Sequence, residues 1–229
     1  QVYQFAIILA IGLALFFLFV KYPRAQSGGE GVNLRTLFAA GFTWRMTWYY
    51  LFVAVYVAAE IGVASWIVEY LQQVKGFDIG TSSLYLSLFF AAIMVGRLGG
   101  SFIVERVGYL TIMLVATVIA TVSLTIGIFG PPWLTIFIPL TGLFFSIIFP
   151  TATASVSSLQ LANMGAILGV LFTFGGLGGA LGPWLIGTAA DIVGIELAFA
   201  LTISFCVVML GALLMLRRMA NKTQESAAS

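Results

Sequence analysis

Within the run Tyr56-Val-Ala-Ala-Glu60-Ile-Gly-Val-Ala-Ser-Trp66-Ile-Val-Glu69-Tyr70, two carboxylates stand among residues that otherwise suit hydrocarbon. An ionisable group at the centre of a membrane helix costs about 2.5 to 3.5 kcal/mol on insertion scales, so such groups face cavities and mark pathways. A carboxylate there can carry a proton, hold a cation or accept a hydrogen bond from a solute hydroxyl. Low dielectric favours its neutral form and suits proton carriage, whereas a bound sodium ion favours the charge, and the residues alone do not separate the two. At about 100° per residue, Tyr49, Tyr56, Glu60 and Ile67 share one helix face, while Glu69 points almost opposite Glu60. Glu60 is therefore the candidate coupling or binding carboxylate and Glu69 an outer-rim residue. A second reading of Glu60, a protonated acid hydrogen-bonded to a neighbouring helix, stays open.

Trp66 and Tyr56 each join an apolar ring to a hydrogen-bond donor, the chemistry that recognises a sugar. Interfacial belts collect the same residue types, and Trp48, Tyr49, Tyr50 and Trp133 are assigned to one. Pro139, Pro150 and Pro183 interrupt apolar runs and are expected to be hinges, because each removes a backbone hydrogen bond from a helix. The run Gly175-Gly-Leu-Gly-Gly-Ala-Leu-Gly-Pro183 pairs Gly175 with Gly179 and Gly178 with Gly182, a spacing that lets helices approach closely.

The elements that must hold these residues are membrane spans. Of the 229 residues, 61% are apolar, 8% are charged and none is histidine, which excludes an ordinary soluble domain and a disordered chain alike. Seven runs approach the roughly 20 residues that a bilayer crossing needs: about 3–20, 47–70, 83–104, 110–129, 133–156, 165–190 and 195–216. They are continuous rather than alternating, unlike barrel strands, so the expected class is an all-α membrane protein with the lipid bilayer as its surroundings. The single cysteine, Cys206, and the lack of CxxC, phosphate-loop and nucleophile-elbow motifs argue against an enzyme, a metal site or a cofactor. No nucleic-acid partner is expected.

Lys21, Arg24, Arg35, Arg45, Arg106, Arg217, Arg218 and Lys222 fall on one side of alternating spans and Lys75 alone on the other. Basic residues mark the cytoplasmic side of short loops, so the first connection, the third and the tail are expected there. The segment 21–45, with Gln26-Ser-Gly-Gly-Glu-Gly-Val at its centre, reads as a flexible cytoplasmic interdomain loop. Residues 1–20 then read as the last transmembrane helix of a truncated N-terminal half, 46–216 as a six-helix domain and 217–229 as a cytoplasmic tail. A seven-span receptor or non-transporting scaffold is the competing organisation.

Gly96-Arg97-Leu-Gly-Gly100-Ser-Phe-Ile-Val-Glu105-Arg106-Val-Gly108 resembles the cytoplasmic loop signature of the major facilitator superfamily. It departs from that signature at Glu105, where Asp is usual, at Ser101, and at Tyr109-Leu-Thr, which replaces the trailing basic residues. On helical geometry Arg97 and Glu105 lie about two turns and about 80° apart, able to bracket one polar site, although Arg97 could equally snorkel to the interface. The run Gly142-Leu-Phe-Phe-Ser-Ile-Ile-Phe149-Pro150-Thr151, with the Glu60 stretch, is similar to the fucose/glucose/galactose cation symporter branch.

The resemblance implies the C-terminal six-helix bundle of a secondary transporter in the plasma membrane, preceded by one helix and completed by the missing N-terminal half. Phe149 and Thr151 would join Glu60, Tyr56 and Trp66 around a small-molecule substrate such as a sugar. Gly96, Arg97, Gly100, Glu105, Arg106 and Gly108 would form a gating loop, and no cofactor beyond a coupling proton or sodium ion would be needed. Proton-driven efflux of hydrophobic compounds is the alternative activity, with Glu60 as its proton site.

Overall fold

In the computed structural model of the chain, the described residues are 7, 11, 12, 15, 16, 41–161 and 163–228, without the side chains of 101–106 and 222–228. Most of the expected span over 1–20 and most of the expected loop over 21–45 lie outside the described residues. All the regular structure described is helical: α1 (Trp44–Gln73), α2 (Ile79–Val107), α3 (Tyr109–Phe129), a 3-10 turn (Pro132–Ile136), α4 (Phe137–Ser157), α5 (Met164–Val193), the short α6 (Ile195–Phe199) and α7 (Leu201–Ala228). Among the described residues, six segments are long and apolar enough to cross a bilayer, the 3-10 turn joining α4 and α6 joining α7.

Local chemistry sets the boundaries. Thr43 caps α1 by accepting from the Met46 amide at 3.3 Å. Asp78, just before α2, accepts from the amides of Gly80 (2.8 Å) and Thr81 (3.1 Å) and from the Thr81 hydroxyl (2.6 Å). Those bonds, the Thr81 hydroxyl first, hold its carboxyl below the usual aspartate range. Between α2 and α3 the chain turns at Gly108, whose φ of 87° is a conformation that glycine adopts without steric cost. The glycine that closes the loop motif is thus explained by backbone geometry.

α1 is the axis of the bundle, packing most extensively on α5 and α7 and also touching α2, α4 and α6. Its buried side chains, from Met46 through Tyr56 and Ile67 to Leu71, run the whole length of the helix. Lipid is as apolar as these side chains, so association rests on close packing and on polar contacts. A Cβ on Gly178 of α5 would collide with the Ala54 carbonyl of α1, and one on Gly182 would lie 2.5 Å from the Ala58 carbonyl. Further along, Gly62 of α1 receives Ile186 and Gly187 of α5 receives the Trp66 ring. Gly175 and Gly179, the other expected pair, sit in ordinary or slightly tight contact with Val53 and Val57. On the other flank, Gly96 and Gly100 of α2 lie against Ser146 and Ile147 of α4, and Gly142 of α4 against the Phe89 carbonyl of α2, whereas Gly99 has open space.

Two expectations are corrected. Pro139 lies in the first turn of α4, where the backbone N–H has no intrahelical acceptor, so it removes no helical hydrogen bond and is no hinge. Pro150 and Pro183 do lie inside their helices. Tyr49 and Tyr50 are not belt residues but are fully buried, their hydroxyls bonded to Ser155 Oγ (2.7 Å) and to the Gly41 carbonyl (2.7 Å). A buried Tyr needs such a partner, and contacts this distant in sequence leave no periodic trace. Trp133, 74% exposed, keeps an outward position suited to a belt.

The Gly178 contact yields a discriminating test. Gly178→Leu is expected to destabilise the chain by about 3 kcal/mol or to prevent its folding, since the colliding atom is backbone. Gly176→Ala, where nothing lies within 4 Å, should be neutral or stabilising by up to about 1 kcal/mol. Thermal unfolding in detergent, read by circular dichroism, compares them; equal behaviour of the two variants would contradict the seam.

Candidate functional site

Glu60 sits near the middle of α1, half-buried, one turn after the fully buried Tyr56. The Tyr56 hydroxyl donates to the Phe145 carbonyl of α4 at 2.9 Å. Its ring meets Phe145 edge-on at 5.8 Å and lies tilted to Phe149 at 6.3 Å. Phe149 in turn stacks on Phe172 of α5 at 5.7 Å. Three helices therefore contribute one aromatic wall, Tyr56, Phe145, Phe149 and Phe172, beside a membrane carboxylate. Tyr56 is fully buried and spends its hydroxyl hydrogen on Phe145, so it packs the interior and, against expectation, does not offer that donor to a substrate; what stays open chemically is the Glu60 carboxylate and the ring faces of Phe149 and Phe172.

The other expected site residues distribute differently. Trp66 donates its indole N–H to the Pro183 carbonyl at 3.0 Å and packs on Gly187, so its donor serves the contact between α1 and α5. Thr151 is buried in α4, one residue beyond the exposed Pro150. Glu69 is exposed and accepts a hydrogen bond from Gln73, one turn along the same helix, consistent with a place on the rim. Nearby, Tyr70 and Lys75 both donate to the Ile128 carbonyl, at 2.6 and 2.8 Å, closing the last turn of α3. Arg97 is exposed on α2. The side chains of Glu105 and Arg106 lie outside the described residues, so the expected pairing of Arg97 with Glu105 finds no description. Phe145 and Phe172 were missed by sequence reasoning. The only signal for Phe145 is its place one turn before Phe149; Phe172 carries none.

Among the described residues the fold is thus a bundle of six membrane-length helices with a half-buried carboxylate on its central helix. The Major Facilitator Superfamily profile matches residues 80–229, and the chain belongs to that superfamily, as an integral multi-pass membrane protein. It is 29% identical over 201 residues to the glucose/galactose transporter of Brucella abortus biovar 1 (strain 9-941), a match that takes in 83% of this chain and 47% of the relative. A crystal structure of the E. coli fucose:proton symporter FucP aligns with a TM-score of 0.76 at 19% identity, over 94% of this chain and 54% of FucP. The peptide transporter POT in complex with alafosfalin gives a TM-score of 0.68 at 16% identity, over 82% of this chain and 42% of POT. The chain thus spans about half the length of the relatives it matches.

The Tyr56 hydrogen bond carries a measurable expectation. Tyr56→Phe removes a buried donor but leaves the Phe145 carbonyl its place in the α4 ladder, so the loss should be about 1 kcal/mol. Equilibrium unfolding of the two proteins in mixed micelles reads it; unchanged stability would contradict the bond.

Proposed function

We propose that this bundle is the C-terminal half of an ion-coupled sugar transporter and that Glu60 is its coupling carboxylate. The observation that carries the reading is a half-buried acid near the middle of the most central helix, on the same bundle as the stacked rings of Phe149 and Phe172. Those two rings supply flat apolar faces that sugar rings stack on, and the carboxylate can accept hydrogen bonds from sugar hydroxyls. The sugar substrates named for the Brucella relative and for FucP support a sugar here, and the proton coupling of FucP supports a proton over a sodium ion.

In this reading a second six-helix half closes the site from the other side, and the two halves rock so that Glu60 meets one aqueous face at a time. α2 and α5, the least buried of the spans, present Leu84, Met94, Phe172 and Trp184 as exposed apolar surface on which such a half could dock. A proton arriving from outside bonds to a carboxylate oxygen of Glu60 and removes its negative charge. On the inner side the proton departs and the charge returns. The excess of basic residues at the ends near Arg45 and Arg217 supports a cytoplasmic position for that side in a plasma membrane.

The test uses the complete transporter containing this bundle in proteoliposomes. Glu60→Gln should lower proton-driven accumulation of labelled galactose at least about tenfold while sparing exchange of internal for external sugar. Retained accumulation with an unchanged pH profile would reduce Glu60 to an interhelical contact.

A further inference from the structure

At the end of the bundle where α1 begins, a cavity of about 290 Å³ is lined by Arg45 and Tyr49 of α1, the start of α3, and Ser155 and Ser158 at the end of α4. Arg45 is partly exposed as a residue, but its Nε is buried and has no hydrogen-bond acceptor among the described residues. A buried guanidinium N–H without an acceptor is costly, so an acceptor supplied from outside the chain would relieve it. The cavity holds further unspent donors. The Tyr49 and Ser155 hydroxyls bond to each other at 2.7 Å, which uses one of their two hydrogens and leaves the other free. α3 starts at Gly108, which has no side chain to cap it, so the amides of Tyr109, Leu110 and Thr111 keep no intrahelical acceptor at the positive end of the helix dipole. None of the described lining residues is acidic.

We infer that this cavity is a binding site for a phosphate-type anion, carried by a lipid headgroup or free in solution. Arg45 supplies the charge and a fork of donors, which suits the oxygens of a phosphoryl group better than a halide. The first-turn amides of α3 and the free hydroxyl of the Tyr49–Ser155 pair bond the remaining oxygens. The site joins α1, α3 and α4 at one end, so its occupant bridges all three helices. It uses none of the residues around Glu60 and stands independently of the transport reading.

Two probes separate the sources. The purified full chain in phosphatidylcholine nanodiscs, with or without a minor fraction of phosphatidylglycerol, is released into native mass spectrometry to count retained anionic lipid. Inorganic phosphate is titrated calorimetrically into the lipid-free micellar chain against chloride of equal ionic strength. Retention of phosphatidylglycerol that falls about tenfold or more in Arg45→Gln, less in Ser155→Ala and not at all in Arg218→Gln supports the site and names the lipid as its source. The same ranking with inorganic phosphate names the free anion. Should Arg45→Gln fail to give monodisperse protein, Ser155→Ala and Tyr49→Phe decide by the same comparison with Arg218→Gln. Binding of neither probe, no difference between wild type and the cavity variants, or an equal loss in Arg218→Gln would overturn the inference.

Discussion

The structure depends on how closely α1 and α5 approach. In water, burying apolar side chains would hold two such helices together, but lipid offers them the same environment and the driving force vanishes. What remains is van der Waals contact and polar bonding, and both require backbones to come near one another. Gly178 and Gly182 meet Ala54 and Ala58 at the same four-residue spacing, so two successive turns interlock with almost no side chain between them. Trp66 completes the seam by bonding the Pro183 carbonyl, one residue beyond the last of these glycines.

That seam has consequences for the carboxylate. Ala54, Ala58 and Gly62 turn toward α5, which directs Tyr56 toward α4 and leaves Glu60 on the part of the helix that neither neighbour covers completely. The position is therefore a by-product of helical phase: once small residues fix which face of α1 meets α5, the remaining faces follow at about 100° per residue. The aromatic wall is assembled in the same way, with Phe149 and Phe172 brought together by the packing of α4 and α5 around α1.

Much of this was legible in the sequence. Long apolar runs locate five of the six described spans to within a few residues, whereas the last helix continues to Ala228, well past the expected end at 216, and Glu60 and Glu69 differ as half-buried against exposed. The glycines at 178 and 182 also announce their purpose, because the spacing itself is the mechanism. What sequence could not supply were partners distant along the chain. Trp66 has the chemistry of a sugar-binding residue until Pro183 takes up its donor, and Tyr49 the chemistry of an interface residue until its hydroxyl bonds that of Ser155. Pro139 was misjudged for a local reason: a 3-10 turn precedes α4, so the helix starts later than the apolar run does, and the proline falls in the one turn that tolerates it.

The central claim is that Glu60 faces an aqueous path within the assembled transporter, not lipid. Its most direct measurement is accessibility of a cysteine placed there: Glu60→Cys, in a background where the buried Cys206 is replaced by serine, is treated in proteoliposomes with a membrane-impermeant thiol reagent. The account predicts labelling that is slowed by saturating sugar, with Ile61→Cys, one residue further along α1 and on a different face, unprotected by sugar. Failure of the cysteine at 60 to react from either side of the membrane, while the one at 61 reacts, would contradict it.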